Sequence, residues 1–252
     1  MIKLALSEKP IELTQEEQNR LTQEFKDSGK KTTVYKKSYI EKAVKALAYG
    51  KCCFSEIKLD TRSTYTEIEH FYPKDLYPDE VVRWGNLVPS SKKCNTSKSN
   101  TDTKKFPIIN PFEDNPREYI FFLSGRLYSR DTEGIGQNTI DYCALNDRHH
   151  FVTPRAILSL LVVDDLEAIY RLNFIDGDIT QLSQRRQKNQ INRIKGYFAG
   201  INRKAEFSAC TATSVIDAPF FSDLIIALKN NQFWDDEFET SLQEINFCYL
   251  GK

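Results

Sequence analysis

The chain has 252 residues, 40% of them hydrophobic, enough to bury one sizeable core or one core with a small grafted module. Lys+Arg 35 against Asp+Glu 35 leaves no net charge, which removes whole-molecule attraction to a polyanion and argues against a free-standing, promiscuous nucleic-acid binder. The opening Met-Ile-Lys-Leu-Ala-Leu-Ser-Glu-Lys-Pro lacks the apolar core of a signal peptide, and the longest apolar stretch, Ala156 to Val163, is far short of a bilayer span, so a cytoplasmic location without membrane contact is expected.

In chain order, residues 2 to 13 alternate weakly around Pro10 and read as extended. Thr14 and Glu17 then form a capping box for a helix that carries Leu21 and Phe25 and closes at Gly29. A second box, Ser38 with Glu41, opens a helix whose Ile40, Val44 and Leu47 share one face before Gly50. The runs Cys53 to Leu59 and Thr64 to Phe71, separated by Asp60-Thr61-Arg62-Ser63, suit a β-hairpin. A helix opening at Asn95 to Lys98 would cross it. Asn110-Pro111 and Asn115-Pro116 punctuate a connection, and Tyr119 to Leu123 with Arg126 to Ser129 flank Ser124-Gly125 as a second hairpin. From Gln137 the pattern turns helical, with Ala156 to Leu172 apolar, Arg185 to Lys204 basic and Phe220 to Leu228 apolar again. An α+β fold is predicted, with an extended segment and two helices over 1–50, a module over 51–106 and a mainly helical region packed on it over 107–252.

The module carries the chemistry. Glu69 and Asn95 offer hard oxygen ligands to a divalent cation such as Mg²⁺ or Mn²⁺. His70 offers a ring nitrogen that can take a proton from water near neutral pH. A phosphodiester repels hydroxide and has a poor leaving group, so cleaving it needs a cation on its oxygens and a base opposite. Lys92, Lys93, Lys98, Lys104 and Lys105 flank these residues and suit phosphate positioning, whereas the basic run from Arg185 to Lys204 reads as a solvated helix face. His149 and His150 have no acid at a suitable spacing and read as structural or surface residues.

Glu67-Ile-Glu69-His70, Asn86-Leu87 and Cys94-Asn95-x-x-Lys98 resemble, in order and spacing, the HNH endonucleases, whose fold is the ββα-metal module. The resemblance implies that Glu69 is the metal-binding acid and His70 the general base. It makes Asn86 the asparagine that pins the loop and orients the histidine, Asn95 the second metal ligand, and Lys98 a residue that meets phosphate. Many HNH proteins brace the module with zinc held by two Cys-x-x-Cys pairs. Here the corresponding positions are Cys52 with Ser55 and Ser91 with Cys94, and neutral serine is a poor zinc ligand, so no structural zinc is expected unless Cys53 or another residue completes the site. The six cysteines, scattered along the chain, read as thiols rather than a disulfide framework.

The N-terminal Ile-Lys opening, Ile68 to Phe71 with Pro73-Lys74, the Ile109 to Pro116 segment, and Thr139-Ile140 before Leu145-Asn146 extend the resemblance. Together they are similar to the PtuB-type HNH component of Septu and retron-associated antiphage systems. This implies an effector that cuts DNA or structured RNA alongside an ABC-type, PtuA-like ATPase. Two readings follow: an active nuclease, or a catalytically silent HNH-derived adaptor that binds an ATPase subunit or nucleic acid. Retention of Glu69, His70, Asn86 and Asn95 together favours the first. The apolar stretches Ala156 to Val163 and Phe220 to Leu228 are the candidate docking faces.

Overall fold

The computed structural model describes residues 1–61 and 64–252. Thr14 caps α1 (Gln15–Asp27), its hydroxyl accepting from the Glu17 amide at 3.1 Å, and Leu21 and Phe25 are buried one turn apart. The chain leaves α1 through Gly29, whose φ of +66° is readily taken only by glycine. In α2 (Ser38–Ala46), Ser38 is the first helical residue and the preceding Lys37 makes no side-chain cap, so the second capping box does not form. Ile40 and Val44 still face inward as their spacing requires.

β1 (Glu67–His70) pairs antiparallel with β2 (Leu87–Ser90), placing His70 opposite Leu87 and Glu67 opposite Ser90. The partner of β1 therefore lies after it in the chain, not before it. Residues 53 to 59 are not a strand: Glu56 takes φ +63° and turns the chain, leaving a single bridge from Lys51 to Lys58 and a bond from the Cys53 amide to the Pro89 carbonyl at 2.9 Å. Of the expected turn, Arg62 and Ser63 lie outside the described residues. α3 (Lys92–Lys98) follows β2 at once, capped by the Ser91 hydroxyl, which accepts from the Cys94 amide at 3.3 Å. Asn95 is thus in the second turn of α3 and not at its N-terminus, so the exposed backbone N–H groups there belong to earlier residues.

β3 (Ile120–Leu123) and β4 (Arg126–Ser129) form the second hairpin as read. Its two turn residues both have positive φ, Ser124 at 49° and Gly125 at 82°, the combination that matches strand twist in a two-residue loop. The rest is helical: α4 (Ile135–Tyr142), α5 (Thr153–Tyr170), α6 (Gln184–Gly200), α7 (Ser208–Ile216), α8 (Phe221–Asn230) and α9 (Asp236–Cys248). α7 buries small side chains such as Ala209, Cys210 and Ala212, which let α5 and α9 pack closely on it. No single helix among the described residues is long and apolar enough to cross a membrane.

Two buried clusters hold the molecule together. The smaller joins α1 and α2 to Val81, Val82, Trp84 and Leu87, while the larger joins the N-terminal segment, Phe54, Val88, Cys94, the second hairpin and the C-terminal helices. Adjacent residues on a strand face opposite ways, so Leu87 and Val88 tie β2 into both clusters. The β1–β2–α3 unit is wedged between them. Of the two expected docking faces, Phe221, Leu224 and Leu228 are buried in the larger cluster because α8 must close it, whereas Ile157, Leu160 and Leu161 on α5 remain exposed.

Glu56, at the corner that replaces the expected strand, is buried with Lys51 at 3.0 Å and the Met1 ammonium at 2.8 Å, and Ser208 of α7 donates to it. Burial alone would raise its pKa, but these two cations and the hydroxyl hold the carboxyl well below the usual range. A depressed carboxylate stabilises the fold above its unfolded value near 4.5 and loses that contribution as pH falls through the folded value. The part of the stability to urea that Glu56 contributes should therefore be constant above about pH 5 and be lost in acid. Glu56→Ala should cost about 3–5 kcal/mol at neutral pH, because it leaves Lys51 buried without its carboxylate, and should weaken the acid dependence.

Candidate active site

Strand alternation puts Glu67 and Glu69 on one face of β1 and His70 on the other. α3 crosses the glutamate face. Its Asn95 and Lys98, three apart, share a side of the helix: the Asn95 amide donates to the Glu67 carboxylate, and the Lys98 ammonium meets Glu69 Oε1 at 2.6 Å and the His70 carbonyl at 2.8 Å. Lys98 is 0% exposed and Glu69 7%. Burial pushes the Glu69 carboxyl up, and Lys98 pulls against it. Lys98, expected from its motif position to meet phosphate, instead spends its charge inside the protein as the counter-ion of Glu69.

His70 is buried edge-on to Tyr35, with ring centroids 4.6 Å apart. Its Nε2 lies 2.9 Å from the Val81 carbonyl. A carbonyl only accepts, so Nε2 carries the proton and Nδ1 keeps the lone pair. Burial pulls the pKa down to about 4, leaving the ring neutral at pH 7 and able to accept a proton.

The Val81 carbonyl is held in place by Asn86. Its Oδ1 accepts from the Tyr72 amide at 2.7 Å, while Nδ2 donates to the carbonyls of Tyr72 at 3.1 Å and Glu80 at 2.9 Å. One buried side chain thereby clamps both ends of the crossing from β1 to β2, immediately beside Val81. Val81 itself left no trace in the sequence reading because the group it contributes is backbone.

A cleft of about 330 Å³ opens between α2, β1 and α3, lined by Tyr35, Glu67, Lys92 and Asn95 among others. Of the two other lysines expected at phosphate, Lys92 is exposed on this cleft, whereas Lys93 pairs with Asp147 at 2.9 Å. Asp147 also accepts from His150 at 2.8 Å, so an acid does stand at a suitable spacing, contrary to the expectation, and the exposed histidine closes a turn with it. Lys104 sits over the Tyr77 ring at 4.1 Å, a packing role. Glu69, Glu67 and Asn95 through its carbonyl oxygen offer only oxygen donors, the kind that Mg²⁺ or Mn²⁺ prefers to a softer ion; in the fold Asn95 is seated on Glu67 and Lys98 on Glu69.

The four positions read as remnants of a zinc site do converge. The Ser55 amide donates to Cys52 Sγ at 3.5 Å, the Cys94 thiol reaches Cys52, and Ser55 Oγ is buried without a partner. Two thiols and two hydroxyls offer less charge and softness than the four thiolates of a structural zinc site, which is why no zinc is expected there. All six cysteines are buried and unpaired.

Elemental analysis of the purified chain should accordingly give well under one zinc per molecule; one tightly held equivalent would show that this cluster binds metal. Asn86→Ala should cost about 1–3 kcal/mol by stranding the Tyr72 amide. It should also speed amide hydrogen exchange between residues 72 and 82, with little change in α7.

No family model matches the chain. It is 39% identical over 172 residues to the Septu protein PtuB of Bacillus thuringiensis, a match that covers 68% of this chain and 65% of that protein, just under two thirds of its length. Over that stretch, which takes in most of the chain, the protein resembles PtuB.

Proposed function

We propose that this chain is a metal-dependent HNH endonuclease that cleaves phosphodiester bonds in DNA or structured RNA as an effector of antiphage defence. The observation that carries this reading is the state of His70: neutral, with Nε2 held by Val81 and Nδ1 unprotonated, next in sequence to Glu69, whose carboxylate meets α3 at Lys98, three residues along that helix from Asn95. His70 Nδ1 takes a proton from water as the water oxygen attacks phosphorus. The phosphorus bond to the leaving oxygen then breaks. Mg²⁺ or Mn²⁺ held by Glu69 and Asn95 would neutralise charge on the phosphate and the leaving oxygen. Asn86 keeps the base oriented, Lys92 meets phosphate, and Lys98 positions Glu69.

The likeness to a Septu protein supports the defence role and, with it, an ATPase partner of the PtuA type or a retron complex. The absence of net charge fits shared substrate capture, and we assign the partner to the exposed α5 face around Ile157, Leu160 and Leu161. A second reading, the silent adaptor, draws on the buried Lys98 ammonium already seated on Glu69, which competes with a cation for that carboxylate.

Cleavage of plasmid DNA and of folded RNA separates the two. The nuclease reading expects cutting in Mg²⁺ or Mn²⁺ that EDTA abolishes. Because His70 is buried against Tyr35, His70→Asn is the cleaner variant. It should lower the rate at least about 100-fold while keeping the thermal melt close to wild type. Asn95→Ala should raise the metal concentration needed. A folded His70→Asn protein with wild-type activity would remove the mechanism.

A further inference from the structure

Tyr65, just before β1, is 71% exposed, the most exposed aromatic side chain among the described residues. One exposed ring is ordinary by itself, and what gives this one meaning is where it stands. It stands on the lining of the cleft beside the candidate site, together with Tyr35, Asn95 and two exposed lysines, Lys36 and Lys92. Neither lysine makes an ion pair among the described residues, whereas Lys45 on the same lining is paired with Asp60 at 3.1 Å. Glu41 and Glu67 also face the cleft; Asn95 donates to Glu67, which fixes its carboxylate but leaves its charge. Tyr35 joins the cleft to the base, since it lines the one and packs edge-on against the ring of the other.

A flat aromatic face flanked by two free ammonium groups matches a nucleotide, with a base on the ring and phosphates on the lysines. Paired bases are already stacked and offer no free face, so the match is to an unpaired one. We propose that this cleft binds an unpaired stretch of nucleic acid, one base stacked on Tyr65 and the adjoining phosphates on Lys36 and Lys92. The strand so held leads past Tyr35 to Glu69, His70 and Asn95. What happens to the strand there rests on the nuclease reading; its capture does not.

The test is fluorescence anisotropy of the full-length protein in EDTA with short labelled oligonucleotides, DNA and RNA in separate arms, each unpaired or annealed to its complement. The unpaired form should bind about tenfold or more tighter than the duplex in at least one arm, and the arm that does so identifies the strand. Tyr65→Ala should weaken that binding at least about fivefold with an unchanged melt, and Tyr65→Trp should retain it. Lys36→Ala with Lys92→Ala should weaken it and flatten its salt dependence by a slope of about 1.4. Equal or tighter duplex binding in both arms, or wild-type affinity in Tyr65→Ala, would overturn the proposal. Unpaired-strand binding without cleavage in Mg²⁺ or Mn²⁺ would leave the cleft standing and remove the nuclease. Cleavage by a Tyr65→Ala protein that also keeps wild-type affinity for the unpaired strand would do the reverse.

Discussion

The side-chain amide of Asn86 holds three backbone groups at once, and the geometry of His70 depends on it. The crossing from Phe71 to Asn86 has no strand partner of its own, so its polar backbone must be satisfied from within or by water. Asn86 satisfies its two ends, while Val81, Val82 and Trp84 pack the middle against α1 and α2. Together they deliver one carbonyl to one ring nitrogen. A net hydrogen bond is worth only about 0.5–1.5 kcal/mol, yet loss of this clamp leaves several buried groups unpaired, and that asymmetry makes the loop a single rigid part.

Among the described residues, buried ion pairs stand at two places, with different consequences. At the corner around Glu56, two cations and a hydroxyl surround one carboxylate and link the N-terminal segment to α7. At the candidate site, Lys98 and Glu69 pair alone, and a third group, the His70 carbonyl, takes one more ammonium proton. Desolvating an ion pair offsets much of its attraction, so neither pair is a large net source of stability, and removing one member is costly. The Lys98 pair differs because its carboxylate is also a candidate ligand. Any metal ion bound there would have to compete with the Lys98 ammonium for that carboxylate.

The candidate site residues could be picked out in the sequence because their spacing matches the strand, the crossing and the helix that carry them. Glu69, His70, Asn86 and Asn95 lie on those elements, and the Ser124-Gly125 hairpin was equally clear from its turn residues. Partner choice was not legible. The run from 53 to 59 before a polar turn suggested a strand, but Glu56 is drawn inward by Lys51, near in sequence, and Ser208, distant in it, and the chain turns instead. Ser91 was read as a lost metal ligand when its hydroxyl in fact caps α3, which shifts the helix start ahead of Asn95. Lys98 looked like a phosphate contact because a sequence gives charge without depth. The Val81 carbonyl, Glu67 and Tyr35 enter the site through tertiary placement alone.

The claim on which the account turns is that His70 is neutral at pH 7 with its proton on Nε2. Long-range ¹⁵N–¹H correlation of the ring, in protein labelled with ¹⁵N-histidine and assigned by comparison with His70→Asn, reads this directly. The account predicts one protonated nitrogen, Nε2, from pH 7 down to about pH 5, with Nδ1 at the shift of an unprotonated ring nitrogen. A proton on Nδ1, or an imidazolium that titrates near the ordinary value of 6.5, would contradict it.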